Sequence, residues 1–308
     1  MANSAIVNPP MAAIGLDLGA SRLKAVVVES DGTILDQIGR PTRGAVWRAE
    51  VDNLLKELLA MYGDHLQIGV CAPGLPNRAR DSIWDCAGKI PGLEGFNFRE
   101  HLNWARPIPV MNDAQAALFG ETWLGAAAGC KNVVLFTLGT GIGGAAMVDG
   151  ILLRGALGRA GHFGHISINP EGPLSVFNAP GSLEDAFGNR TLEVRSNGRF
   201  QESLDLVRAV EKGDRLAMRT WNQAAGDLAR GIVSVINAFD PELVLLGGGI
   251  AAAGESLLCA LRPKLDIWEW RPWGIGVELR LASLGEWAGA FGAAREAMKL
   301  SSDLMNIN

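Results

Sequence analysis

The sequence predicts an α/β protein made of two like-folded domains. Its 308 residues leave room for two hydrophobic cores. The first half opens on AAIGLDLGASRLKAVVVES: an apolar strand, a glycine turn and a second strand of β-branched residues. The second half opens on NVVLFTLGTGIGGAAMVDGILLRG, which repeats that order. Two supersecondary units of one kind suggest two similar domains facing each other across a cleft. The implied division gives residues 1–113 with a C-terminal helix at about 288–308 to one domain, and 114–287 to the other.

The elements come in this order. Behind a loose tail, the first two strands are joined through SDGTI, a hairpin signal, to a third antiparallel strand, ILDQIGRP. WRAEVDNLLKELLAMY, residues 47–62, sets its apolar residues at helical spacing, and LQIGVCAPGL comes next as a short buried strand stopped by Pro-Gly. PIPVM, residues 107–111, is another strand, running into the helical NDAQAALFGETWLGAA with Asn112 and Asp113 at its start. Residues 204–239 read as helix broken around Gly213, PELVLLGGGI as a buried strand ending in three glycines, and 254–265 as helix. The Trp-rich DIWEWRPWGIG shows no clean period ahead of a final strand, and EWAGAFGAAREAMKL closes the chain as a helix.

Composition narrows the function. Apolar residues at 48% and charged residues at 20% are the balance of a globular protein, not a disordered one. A net charge of -5 gives no electrostatic footprint for nucleic acid or an anionic membrane. MANSAIVNPP lacks the regions of a signal peptide, and no apolar run is long enough to span a bilayer. A cytoplasmic protein with small-molecule partners is the expectation. Cys71, Cys86, Cys130 and Cys259 lack paired spacing, which argues against a disulfide framework or a cysteine metal site. Each reads as a small buried apolar residue.

Three glycine-rich strand ends carry the chemistry. In DLGASRLK, Gly19 allows a sharp turn whose N–H groups suit phosphate oxygens, Ser21 adds a hydroxyl, and Asp17 suits a hydrated metal ion. A β-hairpin with a convenient glycine is the alternative. LGTGIGG, residues 138–144, repeats the arrangement around Gly139, Thr140 and Gly141; four glycines in six positions after a buried strand are hard to explain by packing. It is not a Walker A loop, because no Lys-Ser or Lys-Thr comes after it, and the next segment reads as strand and hairpin, which excludes the dinucleotide fingerprint. LGGGI, residues 246–250, suits a flat base or ribose lying on backbone. Together the three favour a nucleotide cleft. Asp113 is either a general base for a hydroxyl attacking a phosphoryl group or simply a helix cap. His162 and His165 raise three readings: a metal site, an acid and base, or a sugar pocket.

The ordered set DLGASRLK, CAPGLPN, MNDAQAALFGE, LGTGIGG, AGHFGHISI, DPELVLLGGGI and LGEWAGAFGAA resembles the motifs of the ROK family, the sugar kinases and sugar-responsive repressors of the actin-like ATPase superfamily, from about Ile14 to Met298. The resemblance implies two actin-like, ribonuclease H-like domains with mixed sheets flanked by helices, ATP and a hexose bound between them, and magnesium. It implies that Asp17 organises magnesium through water, that Gly19, Ser21, Lys24 and the Gly139–Thr140–Gly141 loop hold phosphates, and that Gly248 and Gly249 flank adenosine. Asp113 becomes the general base, with Asn112 beside it on the sugar and Gly74 lining the pocket. About a dozen residues precede the first strand, so the DNA-binding module of the family's repressors is not expected.

Three departures stand out. The family's Glu-x-Gly-His reads His162, Phe163, Gly164, His165 here, so a larger group that donates as well as accepts replaces a carboxylate in the sugar pocket. The family's zinc cysteines are replaced by Ser175, Phe177 and Ser182, none a plausible ligand, so no zinc is expected. Glu184 remains, either as a sugar contact or as an exposed carboxylate at a helix start. Lys89 stands near an asparagine that reaches the sugar in the family, and Phe96 in place of a tryptophan. The expected function is ATP-dependent phosphorylation of a hexose or hexose derivative, by a homodimer, with His162, His165, Glu184 and Asn112 on the acceptor. A catalytically weak sugar-binding sensor is the alternative, and polyphosphate an alternative donor.

Overall fold

The computed structural model describes residues 11–42 and 46–305. Most of the expected N-terminal tail and the last three residues of the expected C-terminal helix lie outside them. The chain divides into two compact units, Met1–Gly120 with Trp287–Asn308, and Glu121–Glu286.

In the first unit, β1 (Ala12–Leu18), β2 (Arg22–Glu29) and β3 (Ile34–Pro41) form the antiparallel meander read from the sequence. α1 (Trp47–Tyr62) crosses over to β4 (Gln67–Ala72), which runs parallel to β1. A small separate hairpin, β5 (Leu75–Pro76) and β6 (Ile83–Asp85), and a short helix, α2 (Phe98–His101), precede β7 (Val110–Asn112). β7 pairs in parallel with β4 and gives the order β3-β2-β1-β4-β7. One face of the sheet packs Ile14, Leu16, Leu23 and Val27 against Leu54, Leu55 and Leu58 of α1.

The next helix, α3 (Asp113–Leu124), begins in this unit and ends in the other. The division therefore falls inside α3, where the sequence suggested a boundary at residue 113. Packing explains the difference. A Cβ at Gly120 would run into the Ala288 carbonyl and one at Gly292 into the Ala116 carbonyl, so glycine at both positions lets the first turns of α3 lie close against the C-terminal helix.

The second unit repeats the first. β8 (Val133–Leu138), β9 (Ile142–Val148) and β10 (Ile151–Leu152) form an antiparallel meander. α4 (Leu183–Phe187), α5 (Leu192–Arg195), α6 (Ser203–Glu211) and α7 (Arg215–Phe239) intervene before β11 (Leu243–Gly247), which is parallel to β8. α8 (Glu255–Trp268) leads to β12 (Glu278–Leu281), parallel to β11, and the order β10-β9-β8-β11-β12 matches that of the first unit strand for strand. The break near Gly213 separates α6 from α7, whose start is fixed by Asp214 accepting from the N–H groups of Leu216 and Ala217 at 3.0 and 2.8 Å. α7 carries the core of this unit, burying Trp221, Leu228, Ile232 and Val235.

α9 (Ala288–Met305) ends the described chain in the first unit. Gly15 and Gly69 are register partners on β1 and β4, and a Cβ on either would strike backbone of α9. The helix consequently lies almost on the sheet, with Gly289 against Asp17 and Cys71. Two of the four cysteines depart from expectation: Cys71 and Cys86 are buried, but Cys130 is half-buried and Cys259 exposed on α8.

Candidate active site

In the first unit the expected residues gather at the ends of β1, β4 and β7. Register places Asp17 between Lys24 and Cys71, and Lys24 Nζ lies 3.0 Å from Asp17 Oδ2. The Cys71 thiol is pushed well above its ordinary pKa by burial, reinforced by the Asp17 and Asp113 charges, which keeps it neutral. The turn at Gly19 is pinned by Thr42, whose N–H donates to the Ser21 carbonyl and whose hydroxyl donates to the Gly19 carbonyl, at 2.9 and 3.0 Å. Nothing in the pattern around Thr42 announces this role. Ser21 itself is exposed.

Asn112, not Asp113, caps α3. Its buried Oδ1 accepts from the N–H groups of Ala114 and Gln115 at 3.0 and 3.2 Å, and its Nδ2 donates to the Gly74 carbonyl at 2.9 Å. Gly74 has a φ of 112°, and a Cβ there would meet that of Cys86 at 2.8 Å, so only glycine fits. Asp113 accepts from Ala114 N–H at 2.9 Å, and its side chain stays open to solvent. Desolvation by the surrounding protein nonetheless raises its carboxyl above the ordinary value, and the Asp17 charge adds to this; Ala114 N–H, Lys89 and Asn112 pull the other way.

Lys89 is exposed on a built loop. Ala87 and Gly88 both take positive φ, and the Glu94 carboxylate accepts from the N–H groups of Cys86 and Gly88 at 2.9 and 3.4 Å. Phe96 stacks edge-on against Trp47 and Phe98, 4.9 and 5.0 Å between centroids, and serves the core of this unit.

In the second unit the Gly139–Gly141 loop joins β8 to β9 with Thr140 exposed at its tip. It is zipped from behind by residues after α4: Asn189 N–H donates to the Gly139 carbonyl and Arg190 N–H to the Thr140 carbonyl, both at 2.9 Å. Gly188 packs directly on it, where a Cβ would lie 2.6 Å from the Thr140 oxygen. Arg195 in turn holds Gly188, donating to the carbonyls of Phe187 and Gly188 at 2.9 and 2.7 Å. Burial lowers the Arg195 pKa to about 10, which leaves it charged at neutral pH. Gly248, at the end of β11, has a φ of 84° and abuts Leu138, while nothing lies within 4 Å of a Cβ on Gly249.

Glu184 is buried, 6% exposed, which removes the reading of an exposed helix-start carboxylate. Its carboxylate lies against Gly141, and its Cβ against Gly164, between the two histidines. Arg190 Nη2 stands 2.6 Å from Glu184 Oε1 and 3.6 Å from Asp185 Oδ1. His162 and His165 lie with ring centroids 5.8 Å apart, and His162 Nδ1 is 3.1 Å from the Arg159 carbonyl. Asp17, Asn112, Asp113 and Gly74 thus form one group, and the Gly139–Gly141 loop, Glu184, His162 and His165 a second. Arg190, Gly188 and Arg195 are additions that the sequence did not reveal.

The serines and phenylalanine in the family's cysteine positions have other work. Ser175 Oγ accepts from the N–H groups of Phe177 and Ala179 at 3.2 and 3.1 Å. Ser182 caps α4, accepting from Asp185 N–H at 3.3 Å and donating to Asp185 Oδ2 at 2.9 Å. The Phe177 ring stacks on His165 with centroids 4.2 Å apart and planes 30° apart. This donor set does not fit zinc, and among the described residues no three His, Cys, Asp or Glu side chains group as metal ligands.

Two ribonuclease H-like units, each with a glycine loop after its first strand, are the framework of the actin-like sugar kinases. The chain belongs to the ROK family, whose profile matches residues 13–299. It is 30% identical to a glucokinase of Halalkalibacterium halodurans over 91% of this chain and 92% of that protein. Among solved structures, a ROK hexokinase from Thermus thermophilus is 34% identical with a TM-score of 0.79, covering 95% of this chain and 100% of the other. A ROK-family glucokinase from Streptomyces griseus, solved with glucose and AMPPNP, is 28% identical with a TM-score of 0.74, covering 94% and 99%.

Proposed function

We propose that this ROK-family carbohydrate kinase transfers the γ-phosphoryl group of ATP to a hydroxyl of a hexose derivative, with Asp113 as general base. The observation that carries the reading is the division of labour at α3: Asn112 caps the helix, so the Asp113 carboxylate is left available and more basic than an ordinary aspartate. It accepts the hydroxyl proton as the oxygen attacks phosphorus. The Asp17 carboxylate, beside the Gly19 turn, fits the sparse protein contribution that magnesium takes when phosphates and water complete its shell. Bound there, magnesium would neutralise phosphate charge. The Gly19 and Gly139–Gly141 loops offer N–H groups to phosphates, and Gly248 and Gly249 a flat surface for adenosine.

His165 and Glu184 hold sugar hydroxyls in this reading, and His162 changes the choice of sugar. A carboxylate only accepts hydrogen bonds; an imidazole also donates. An acceptor presenting a carbonyl or other acceptor group at that position is therefore favoured over a plain hexose.

Coupled ADP release across a panel of hexoses, amino sugars and N-acyl sugars tests the reading. A sugar-dependent rate well above ATP hydrolysis is expected for at least one derivative. Sugars that raise the melting temperature with no ADP release would establish a sensor and end the kinase reading.

A further inference from the structure

We propose that Arg190 is a catalytic residue for phosphoryl transfer, its guanidinium held by Glu184 until an acceptor sugar binds and then turned onto the transferring phosphoryl group at the Gly139–Gly141 loop. The inference rests on the kinase reading above.

Four observations carry it. The backbone of Arg190 is bonded to the loop, its N–H donating to the Thr140 carbonyl at 2.9 Å, so the side chain starts from the loop itself. Nη2 stands 3.7 Å from where a Cβ on Gly141 would be, within reach of any anion that the loop N–H groups hold. The guanidinium side chain is 34% exposed whereas Glu184 is 7% exposed, so one partner is free to turn and the other is not. Finally, the 2.6 Å approach of Nη2 to Glu184 Oε1 lacks hydrogen-bond alignment, and this buried oxygen accepts no hydrogen bond from the described residues. Glu184 therefore keeps an acceptor position for a ligand hydroxyl, and its hold on Arg190 is a charge contact without the directional bond that would lock it.

The charge balance of the site calls for such a group. LGTGIGG contains no lysine or arginine, yet transfer spreads charge over the phosphoryl oxygens, and neutralising it is the main catalytic term. Arginine presents a planar fork that matches two of those oxygens. Arg195, a half-buried arginine nearby, is spent on the carbonyls of Phe187 and Gly188. In the step itself the sugar oxygen forms a bond to the γ-phosphorus and the bond to the bridging oxygen breaks. The bonding pair leaves with ADP, and the hydroxyl proton passes to Asp113. A sugar hydroxyl donating to Glu184 weakens the carboxylate's attraction for Arg190, so the cation reaches the phosphoryl group only when an acceptor is present. Hydrolysis of ATP without sugar is suppressed by the same contact.

The test compares wild type with Arg190→Gln, which keeps a polar amide beside Glu184 but carries no charge, and Arg190→Lys, which keeps charge and loses the fork. With a sugar that supports ADP release, Arg190→Gln is expected to lower kcat about 10- to 100-fold, the range of one charge-assisted hydrogen bond, with Arg190→Lys between. Affinity for ADP alone should stay as in wild type, while affinity for ADP with aluminium fluoride and sugar, which mimics the transferring group, should fall in parallel with kcat. Both affinities are read on folded protein, so a lowered melting temperature does not obscure them. Wild-type kcat in Arg190→Gln, or an equal fall in affinity for ADP and for the fluoride complex, overturns the proposal and leaves Arg190 a structural prop. A wild type inactive with every sugar overturns the kinase reading instead.

Discussion

Gly188 offers a perturbation whose size can be worked from the structure. Its φ of −62° and ψ of 160° suit any residue, so Gly188→Ala acts through the added methyl alone. That carbon would lie 2.6 Å from the Thr140 oxygen, 2.8 Å from the Glu184 oxygen and 3.1 Å from Gly141 Cα. Ordinary contact begins at 3.4 Å, so the loop tip must retreat by 3.4 − 2.6 = 0.8 Å, since Arg195 prevents Gly188 itself from yielding. Overpacking of this kind costs about 1–3 kcal/mol, and misplacement of reacting groups by about 1 Å costs roughly 100-fold in rate. The expected outcome is a kcat/KM for ATP lower by about 10- to 100-fold and a melting temperature lower by about 2–10 °C. Gly226→Ala, on α7 with its nearest neighbour at 3.7 Å, is the control, unchanged in activity and slightly more stable. If Gly188→Ala keeps wild-type kcat/KM for ATP, the Thr140–Gly141 loop is not where phosphate binds.

Two further outcomes are expected. Asp113→Asn should lose about 100- to 10,000-fold in kcat. The fold disfavours ionised Asp113, so the stability of the wild type falls as pH rises from the ordinary carboxylate value through the raised one. The variant should therefore melt at or above wild type at neutral pH and match it in acid; a lower melting temperature at neutral pH would contradict the raised pKa. Phe177→Ala removes the stack that orients His165, worth about 0.5–1.5 kcal/mol, and should raise KM for the sugar about 2- to 12-fold with KM for ATP unchanged. An unchanged sugar KM would show that the stack has no part in acceptor binding.

What the sequence made legible was periodic or punctuated. The helix at 47–62 has one apolar face, the glycine turns come after buried strands, and Gly213 interrupts a long helical pattern, and each recurs in the structure. The misses have a common physical cause: a contact that no local period encodes. Glu184 and Arg190 are six residues apart, off any helical spacing and in a segment that is not a strand, and meet because the chain turns at Gly188. Asn112 and Asp113 are both good caps by type, and only the burial of Asn112 selects it. The Trp-rich stretch lacks a period because its conformation hangs on one buried side chain, Glu269, which accepts from Val277 N–H at 2.7 Å and pairs with Arg271 at 2.8 Å. Side-chain-held loops of this kind leave no repeating signature.

The two histidines bring these threads together. A structural zinc would hold the segment between His165 and α4 through one strong centre, contributing about 10–16 kcal/mol of binding energy. Here several weak, directional contacts hold the same segment: the Ser175 turn, the Ser182 cap, bridges pairing Ser167 with Ser182 and Leu174 with Pro180, and the Phe177 stack. Each hydrogen bond is worth about 0.5–1.5 kcal/mol, so together they fix a short loop without matching a metal. The consequence reaches the pocket. A metal-bound histidine has one ring nitrogen consumed by the metal, whereas the His165 ring is positioned by its stack on Phe177. On the kinase reading proposed above, the two departures both reshape the acceptor face: His162 adds a donor where a carboxylate only accepts, and His165 is held by the Phe177 stack in place of a metal.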